Sequence, residues 1–344
     1  MRTWIGWVGV VGLALVGAGG TQAAERRAPA LDLETVNAAR FDPDEKPARS
    51  SKRPDPLLVK AQVLLDRARF SPGAIDGRDG ENLRGALKAF AQAKGLKASG
   101  RLDGKLWEAL AATNADPALT TYTLTEADLR GPFADKIPDK MEEQADLKAL
   151  AYTSPAEMLA ERFHMSRALF DALNPDEDLK AGSVVTVAGV EPMGTDRPNA
   201  KELPDDPKVS RIVVDKEALQ VRGYAEDGAL LRVYPSSIGS EEKPAPKGNF
   251  KVKGVAFNPD YTYDPKYGFA GVKADRKFTI RPGPNNPVGL VWIDLSAESY
   301  GIHGTPDPEK VGKSESHGCV RLTNWDARDL ARHIAKGATV EFGE

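Results

Sequence analysis

The spacing of apolar residues changes along this chain, and that change limits how the chain can fold. Before about residue 112, apolar residues recur at the helical interval, as at Leu83, Leu87 and Phe90. Beyond residue 208, short runs such as 211–215 and 230–236 are β-branched or alternating and are separated by Gly, Asp or Pro, which predicts strands. Because the two periods occupy separate stretches, the sequence predicts a multidomain α+β protein.

Segments rich in Pro and charged residues mark the domain boundaries. A chain of 344 residues can hold two or three domains of about 100 to 200 residues each. The predicted organisation is a signal peptide at 1–23, a linker at 24–55, a small three-helix domain at 56–112, a mixed α/β module at 118–192, a second linker at 193–208 and a mostly β domain at 209–343.

The amino terminus has the form of an export signal. Arg2 precedes an uncharged stretch at 4–20, and the small residues that follow favour cleavage after Ala23. The stretch is shorter than the roughly 20 strongly apolar residues of a spanning helix, although an uncleaved anchor is the alternative. We therefore expect a chain exported to the periplasm or cell wall, with no stable membrane span after cleavage.

Composition restricts the functions that are open to this chain. The net charge of -3 includes no basic excess to neutralise phosphates, so nucleic acid is not an expected partner. A chain with one cysteine forms no internal disulfide, and a lone thiol in an oxidising compartment needs a reason. Cys319 is therefore a candidate nucleophile, with an inert buried thiol as the alternative.

Two of the four histidines lie close in sequence to this cysteine. If the chain is extended around Cys319, then His317, Cys319 and Arg321 project from one face. Either cation would lower the pKa of the thiol by stabilising the thiolate. His303, sixteen residues before Cys319, could serve as the base. Gly318 leaves room for a substrate carbonyl, and the backbone N–H of Cys319 could hold the oxyanion.

A zinc site is the alternative interpretation of the same residues. His303, His317 and Cys319 could bind zinc with Asp307 as a fourth ligand, because Cys and His are the usual zinc donors. The H-x-C spacing is unlike the common zinc pairs, and a single thiolate is available. Catalysis without a metal or cofactor is the expectation.

The whole pattern resembles the signature of YkuD-type L,D-transpeptidases. His303, the motif Ser316-His317-Gly318-Cys319 and Arg321 carry the resemblance over residues 209–343, supported by Pro246-Lys247-Gly248 and Asn286-Pro287-Val288-Gly289. The family implies a β-sandwich in which Cys319 is the nucleophile and His303 the general base, oriented by the carbonyl of Gly304. His317, Gly318 and Arg321 would line the site.

The same resemblance implies a reaction. The thiolate attacks the carbonyl of the third residue of a peptidoglycan tetrapeptide stem, expels the terminal D-Ala and passes the acyl group to an amine. No cofactor is implied, and acylation by carbapenem β-lactams is expected.

Two upstream regions resemble wall-binding modules. Residues 56–112 resemble the peptidoglycan-binding type 1 module through the D-G-x-x-G turn at 76–80, Phe90 and Trp107. Residues 151–188 resemble a LysM glycan-binding module, whose leading strand near 122–124 lies far upstream, so an insertion is assumed. The expected partners are peptidoglycan stem peptides and glycan.

Some questions stay open at this level. Water as the acceptor would make the chain a carboxypeptidase or hydrolase with the same residues, and a vestigial site would leave a non-catalytic wall-binding protein. Tyr261, Tyr263, Tyr267 and Phe269 could form a loop over the substrate. His164 and His333 are interpreted as solvated helix residues without a catalytic role.

Overall fold

The amino-terminal region is helical, as the periodicity predicts. The computed structural model describes residue 1 and residues 31–44, 53–175, 178–198, 208–240, 243–267, 272, 274–314 and 318–343, so the expected signal peptide, except Met1, lies outside the described residues. The helices of this region are α1 (Leu33–Ala38), α2 (Pro56–Arg67), α3 (Glu81–Ala93) and α4 (Gly104–Ala111). Asp55 and Asp103 cap α2 and α4 with their side chains, because a helix leaves its first N–H groups without partners.

Helix α1 lies inside the stretch interpreted as a linker. Asp32 caps it by accepting a hydrogen bond from the N–H of Thr35, and Val36 is fully buried. The Asn37 side chain both donates to and accepts from the backbone of Leu119. This part of the predicted linker is therefore packed against the following region, which local periodicity over six residues is too short to reveal.

The middle region is a pair of strands with helices between them. Its elements are β1 (Leu119–Thr123), α5 (Glu126–Arg130), α6 (Met141–Gln144), α7 (Pro155–Arg162), α8 (Arg167–Leu173) and β2 (Val184–Ala188). Strands β1 and β2 pair antiparallel, with Leu119 opposite Ala188. Ser154 and Ser166 cap α7 and α8, because their hydroxyl oxygens accept hydrogen bonds from the N–H groups of Glu157 and Leu169. Residues 131–150, which separate α5 from α7, are called the insert below.

The carboxy-terminal region is rich in β structure. Its strands are β3 (Val209–Asp215), β4 (Gln220–Tyr224), β5 (Leu230–Pro235), β6 (Ser237–Ile238), β7 (Gly248–Phe257), β8 (Tyr261–Tyr263), β9 (Phe278–Ile280), β10 (Val291–Leu295), β11 (Gly301–His303), β12 (Val320–Arg321) and β13 (Ile334–Phe342), with helix α9 (Asn324–His333) before β13. Nine strands form one sheet in the order β5-β4-β3-β13-β7-β10-β11-β12-β6, and β8 pairs separately with β9.

This sheet differs from two separate sheets packed face to face. Its hydrogen-bonded order is continuous from β5 to β6. One hydrophobic core nevertheless includes Val221 of β4, Ile302 of β11 and Leu330 of α9, so side chains from both halves of the sheet and from the helix are buried together. The continuous sheet brings β11 and β12, which flank the suspected catalytic residues, next to each other.

All three regions belong to one compact unit, residues Leu31–Glu344. A β-bridge joins Phe70 to Val233, and the Ser71 hydroxyl donates to the Asp326 carboxylate at 3.0 Å. Met193, in the predicted second linker, is buried against Leu290 and Trp325. The upstream regions are therefore docked onto the carboxy-terminal region. Among the described helices, none is long and apolar enough to cross a membrane.

Candidate active site

Two neighbouring strands position the candidate catalytic residues. Strands β11 and β12 run parallel, with Ile302 opposite Val320 and His303 opposite Arg321. Cys319 directly precedes β12, and its partly buried thiol donates a hydrogen bond to the carbonyl of Ser299 at 3.8 Å. The fold thus brings together the cysteine, the histidine and the arginine that the sequence singled out.

The conformation at Gly318 explains why glycine precedes the cysteine. Its φ of 104° lies in a region that residues with a Cβ rarely adopt. A Cβ there would also come within 3.2 Å of the Tyr300 ring. His317, the other residue expected beside the thiol, lies outside the described residues.

His303 is held as a neutral base. Its side chain is 5% exposed and stacks on Trp292, with ring centroids 5.6 Å apart. Nδ1 lies 2.6 Å from the carbonyl oxygen of Gly304, and because a carbonyl can only accept, Nδ1 carries the proton and Nε2 is left with its lone pair. Burial lowers the pKa of His303 to about 3, assisted by the charge of Arg321 and opposed by the Gly304 hydrogen bond.

The thiol of Cys319 is subject to opposing effects on its pKa. Burial raises its pKa, although a backbone hydrogen bond at Gly301 and the charges of Arg321 and Lys243 act in the opposite direction. Arg321 thus lowers the pKa of the thiol as expected, but desolvation of the thiolate outweighs the neighbouring cations. The resting pair is a neutral thiol and a neutral imidazole, so the proton must move when the reaction begins.

Arg321 has an unsatisfied donor at this site. Its Nε is buried and has no hydrogen-bond partner among the residues that the structure describes. Burial also lowers the pKa of the guanidinium, while Asp307 and Cys319 oppose that shift. An unpaired buried donor is costly, so an anionic group that reached it would be stabilised.

Asn324 is a site residue that sequence reasoning missed. Its Oδ1 accepts a hydrogen bond from the Leu290 N–H at 2.9 Å, and its Nδ2 donates to Glu161 Oε1 at 2.6 Å. A Cβ on Gly304 would lie 2.1 Å from Asn324 Oδ1, so this side chain fixes the backbone that holds His303. Glu161 belongs to α7, and no local sequence pattern indicates that it would reach α9.

The candidate residues line a cavity of about 1430 Å³. Cys319, His303 and Arg321 lie on it with the aromatic side chains of Tyr261 and Tyr263. Burial and the charge of Cys319 raise the pKa of Tyr261 to about 12, so it remains a neutral hydroxyl. Two of the aromatics predicted to cover the substrate thus line the cavity, whereas Phe269 lies outside the described residues.

The other two histidines have structural environments. His333 is buried, and its Nδ1 donates to the carbonyl of Asp329 at 2.6 Å, so the expectation of a solvated position was wrong. His164 contacts Asp66 at 3.0 Å and stacks on Trp325. The contacts of His164 are tertiary, so helix periodicity did not predict them, whereas the His333 contact lies within α9, one turn earlier.

No group of three His, Cys, Asp or Glu side chains that could hold a metal occurs in the described part of the chain. His317, one of the zinc ligands considered, lies outside that part. In the described residues, the Cys319 thiol and the His303 imidazole line one cavity, and Nδ1 of the imidazole is already engaged by the carbonyl of Gly304. The carbonyl of Gly304 orients the ring of His303 and leaves Nε2 as the atom that can accept a proton.

Known proteins share the carboxy-terminal region and the helical domain. Residues 209–342 match the family described as "L,D-transpeptidase catalytic domain", and residues 54–110 match the "Putative peptidoglycan binding domain". "Putative L,D-transpeptidase YqjB" of Bacillus subtilis is 34% identical over 144 residues, which cover 40% of this chain and 72% of that protein. "Putative L,D-transpeptidase YkuD" of Bacillus licheniformis is 27% identical over 189 residues, which cover 54% of this chain and 92% of that protein.

A solved structure is similar to part of this chain. The catalytic domain of the E. faecium L,D-transpeptidase acylated by ertapenem is 20% identical and covers 40% of this chain and 98% of that chain. The TM-score of 0.32 is too low to support a conclusion about this chain.

Proposed function

The chain belongs to the L,D-transpeptidase family, and on that basis we propose that Cys319 is its nucleophile and His303 its general base. The observation that carries the assignment is that His303, at the end of β11, and Cys319, directly before the neighbouring strand β12, line one cavity. The hydrogen bond from His303 Nδ1 to Gly304 supports it, because that bond leaves Nε2 able to accept a proton.

The proposed acylation step follows from this arrangement. His303 Nε2 takes the thiol proton as the sulfur attacks the carbonyl carbon of the third residue of a tetrapeptide stem. The tetrahedral oxyanion is stabilised by the backbone N–H of Cys319, with Gly318 leaving room for it, and by the charge of Arg321. When the intermediate collapses, the peptide C–N bond breaks, the terminal D-Ala leaves as an amine with the proton from His303, and a thioester remains on Cys319.

The proposed transfer step regenerates the enzyme. An acceptor amine attacks the thioester carbonyl and gives a proton to His303, and the C–S bond then breaks to release the new amide. His303 returns its proton to the sulfur, so no net proton is gained or lost by the protein. The neutral resting pair fits both steps, because the same imidazole acts first as base and then as acid. We assign His317 a place beside the thiol from the family pattern.

The upstream regions add binding to catalysis. The match of residues 54–110 associates the chain with peptidoglycan. We assign 56–112 to this domain, 118–192 to a LysM-like glycan-binding module and 209–343 to the catalytic domain. The β1–β2 pair around α7 and α8 supports the LysM-like assignment. Docked modules raise the local concentration of wall substrate near Cys319.

We also assign the chain to the periplasm or cell wall, with cleavage after Ala23. A processed amino terminus on protein isolated from the envelope would support this, and an intact Met1 would contradict it.

The experiment that tests the activity uses the chain without residues 1–23 and a tetrapeptide-stem muropeptide, followed by mass spectrometry. Loss of D-Ala with a new cross-linked dimer is the expected result. Loss of D-Ala with only shortened stems would identify a carboxypeptidase, and no change would contradict both activities. A carbapenem should add its mass to the wild-type protein and leave Cys319→Ala unmodified.

A further inference from the structure

The insert, residues 131–150, forms part of the wall of the catalytic cavity. It leaves the middle region between α5 and α7 and carries α6 against β9 of the carboxy-terminal region. Pro138, Asp139, Met141 and Gln144 line the same cavity as Cys319. A segment assigned to a wall-binding module therefore lines the cavity that contains Cys319.

Hydrogen bonds at the end of the insert fix it to the catalytic domain. The Leu150 N–H donates to the carbonyl of Pro282 at 3.0 Å, and the Asn285 N–H donates to the carbonyl of Leu150 at 2.9 Å. Gly283 is packed so closely that a Cβ there would lie 2.2 Å from Leu150 O. At the start of the insert, the Ala134 N–H donates to the carbonyl of Tyr152 at 2.8 Å. The insert is anchored at both ends, so its side chains are held at the cavity.

Two polar groups of the insert have no partner in the described part of the chain. The Asp139 carboxylate is exposed and takes part in no ion pair or hydrogen bond there, whereas Asp264 and Asp307 on the cavity each pair with a lysine. Gln144 Oε1 is buried without a partner. Its Nε2 donates to the carbonyl of Pro138 at 2.8 Å, which fixes the amide orientation and leaves the oxygen as the unsatisfied atom.

The charges around the thiol differ from those of the insert. Arg321 and Lys243 both lie close enough to favour the thiolate. A tetrapeptide donor has its carboxylate on the residue next to the bond that breaks, so the cations match the donor. The insert offers a carboxylate and an amide oxygen, both of which match a cation or an N–H donor. The two sides of the cavity thus suit the two substrates of a transfer reaction.

We propose that the insert is the acceptor subsite, in which Asp139 attracts the ammonium group of an amine-bearing stem peptide and Gln144 accepts one of its N–H groups. The inference rests on the proposed transpeptidase function and names the substrate that this wall selects. Asp139 acts in binding: the ammonium group loses a proton to water before the nitrogen attacks the thioester, and the step then proceeds through His303 as described above.

The test separates acceptor binding from acylation. A tetrapeptide stem with an acetylated side-chain amine serves only as donor, and a tripeptide stem with a free side-chain amine serves only as acceptor. Mass spectrometry gives the rate of acyl-enzyme formation from the donor alone and the KM for the acceptor from the initial rate of cross-link formation. The cavity variants are Asp139→Asn and Gln144→Ala. The control is Asp146→Asn, which removes the same charge at a position of the insert that does not line the cavity.

Asp139→Asn is expected to raise the KM for the acceptor about three- to fivefold, the range of a solvent-exposed ion pair. Gln144→Ala is expected to raise it about three- to tenfold through loss of a hydrogen bond. In both, transfer should fall more than acylation, and added salt should raise the wild-type KM towards that of Asp139→Asn. Asp146→Asn should behave as the wild type does.

If the wild type forms cross-links but both cavity variants keep the wild-type acceptor KM, the inference is overturned. It is also overturned if Asp146→Asn raises the acceptor KM as much as the cavity variants do. A wild-type protein that is acylated but transfers only to water would instead overturn the proposed transpeptidase function, and the acceptor subsite with it.

Discussion

Replacing Glu161 by glutamine should remove a large pH dependence from the stability of this protein. Glu161 lies in α7, is 6% exposed, and accepts a hydrogen bond from Asn324 at 2.6 Å. Burial raises its pKa from 4.5 to about 8, a shift that the Asn324 hydrogen bond opposes and the charge of Glu157 reinforces. The folded protein therefore holds a neutral carboxyl group at pH values where the unfolded chain is ionised.

The size of the effect follows from proton linkage. The folded state binds the proton more tightly, so the stabilising contribution is fully present below pH 4.5 and is lost as the pH rises towards about 8. At about 1.4 kcal/mol per pH unit, this interval of about 3.5 pH units corresponds to a loss of about 5 kcal/mol. Glutamine keeps the shape and an acceptor oxygen for Asn324, but it does not titrate.

The assay is urea denaturation of the wild type and Glu161→Gln at several values between about pH 5 and pH 8, within the reversible range. The free energy of unfolding of the variant should rise relative to the wild type by about 1.4 kcal/mol per pH unit. Burial also raises the pKa of Asp326 well above its usual range. The contributions of such groups to the pH dependence are the same in both proteins, so they cancel in the difference. The infrared absorption of protonated carboxyl groups at neutral pH should be weaker in the variant than in the wild type, while the contribution of Asp326 remains in both. A difference between the two proteins that stays flat across this range would refute a neutral buried Glu161.

Three further predictions concern the catalytic centre. Cys319→Ala should give no acyl adduct in intact-protein mass spectra and should change the free energy of unfolding by about 1 kcal/mol or less, and any residual adduct would contradict the assigned nucleophile. Burial lowers the pKa of His303 to about 3, so the base stays neutral down to that pH. The fall of kcat/KM for acylation at acid pH should therefore begin well below pH 6.5. A fall centred at about pH 6.5 would contradict this environment of His303. Gly304→Ala should lower the free energy of unfolding by about 1 to 3 kcal/mol and slow acylation, because its Cβ would lie 2.1 Å from Asn324 Oδ1. Gly254→Ala is the matched control in urea denaturation and in the acylation assay, because a Cβ at Gly254 would meet nothing within 4 Å.

Much of the secondary structure followed from local patterns. The helix over Glu81–Ala93 and the strands over Val209–Asp215 and Leu230–Pro235 depend on residues close together in the chain, so the local sequence predicts them. Helix α1 did not follow, because its helix is short and its stability comes from contacts with Leu119.

The candidate site was predictable as a set of residues but not as an environment. Cys319, His303 and Arg321 are close in sequence, and their chemical types indicate a thiol with a base and a cation. Whether the cations or desolvation control the thiol depends on how deeply Cys319 is buried, and burial is a property of the whole fold. Arg321 lowers the pKa of the thiol as expected, but burial raises it by more.

The sequence by itself determined the order of the helical and β regions, the lone thiol and the histidine sixteen residues before it, because short-range period and side-chain chemistry specify these features. Only the tertiary structure decided that the insert lines the catalytic cavity and that Glu161 supports Asn324 across 163 residues of chain. Such contacts arise when separate regions are packed together and their polar groups must find partners away from water, which no local pattern specifies.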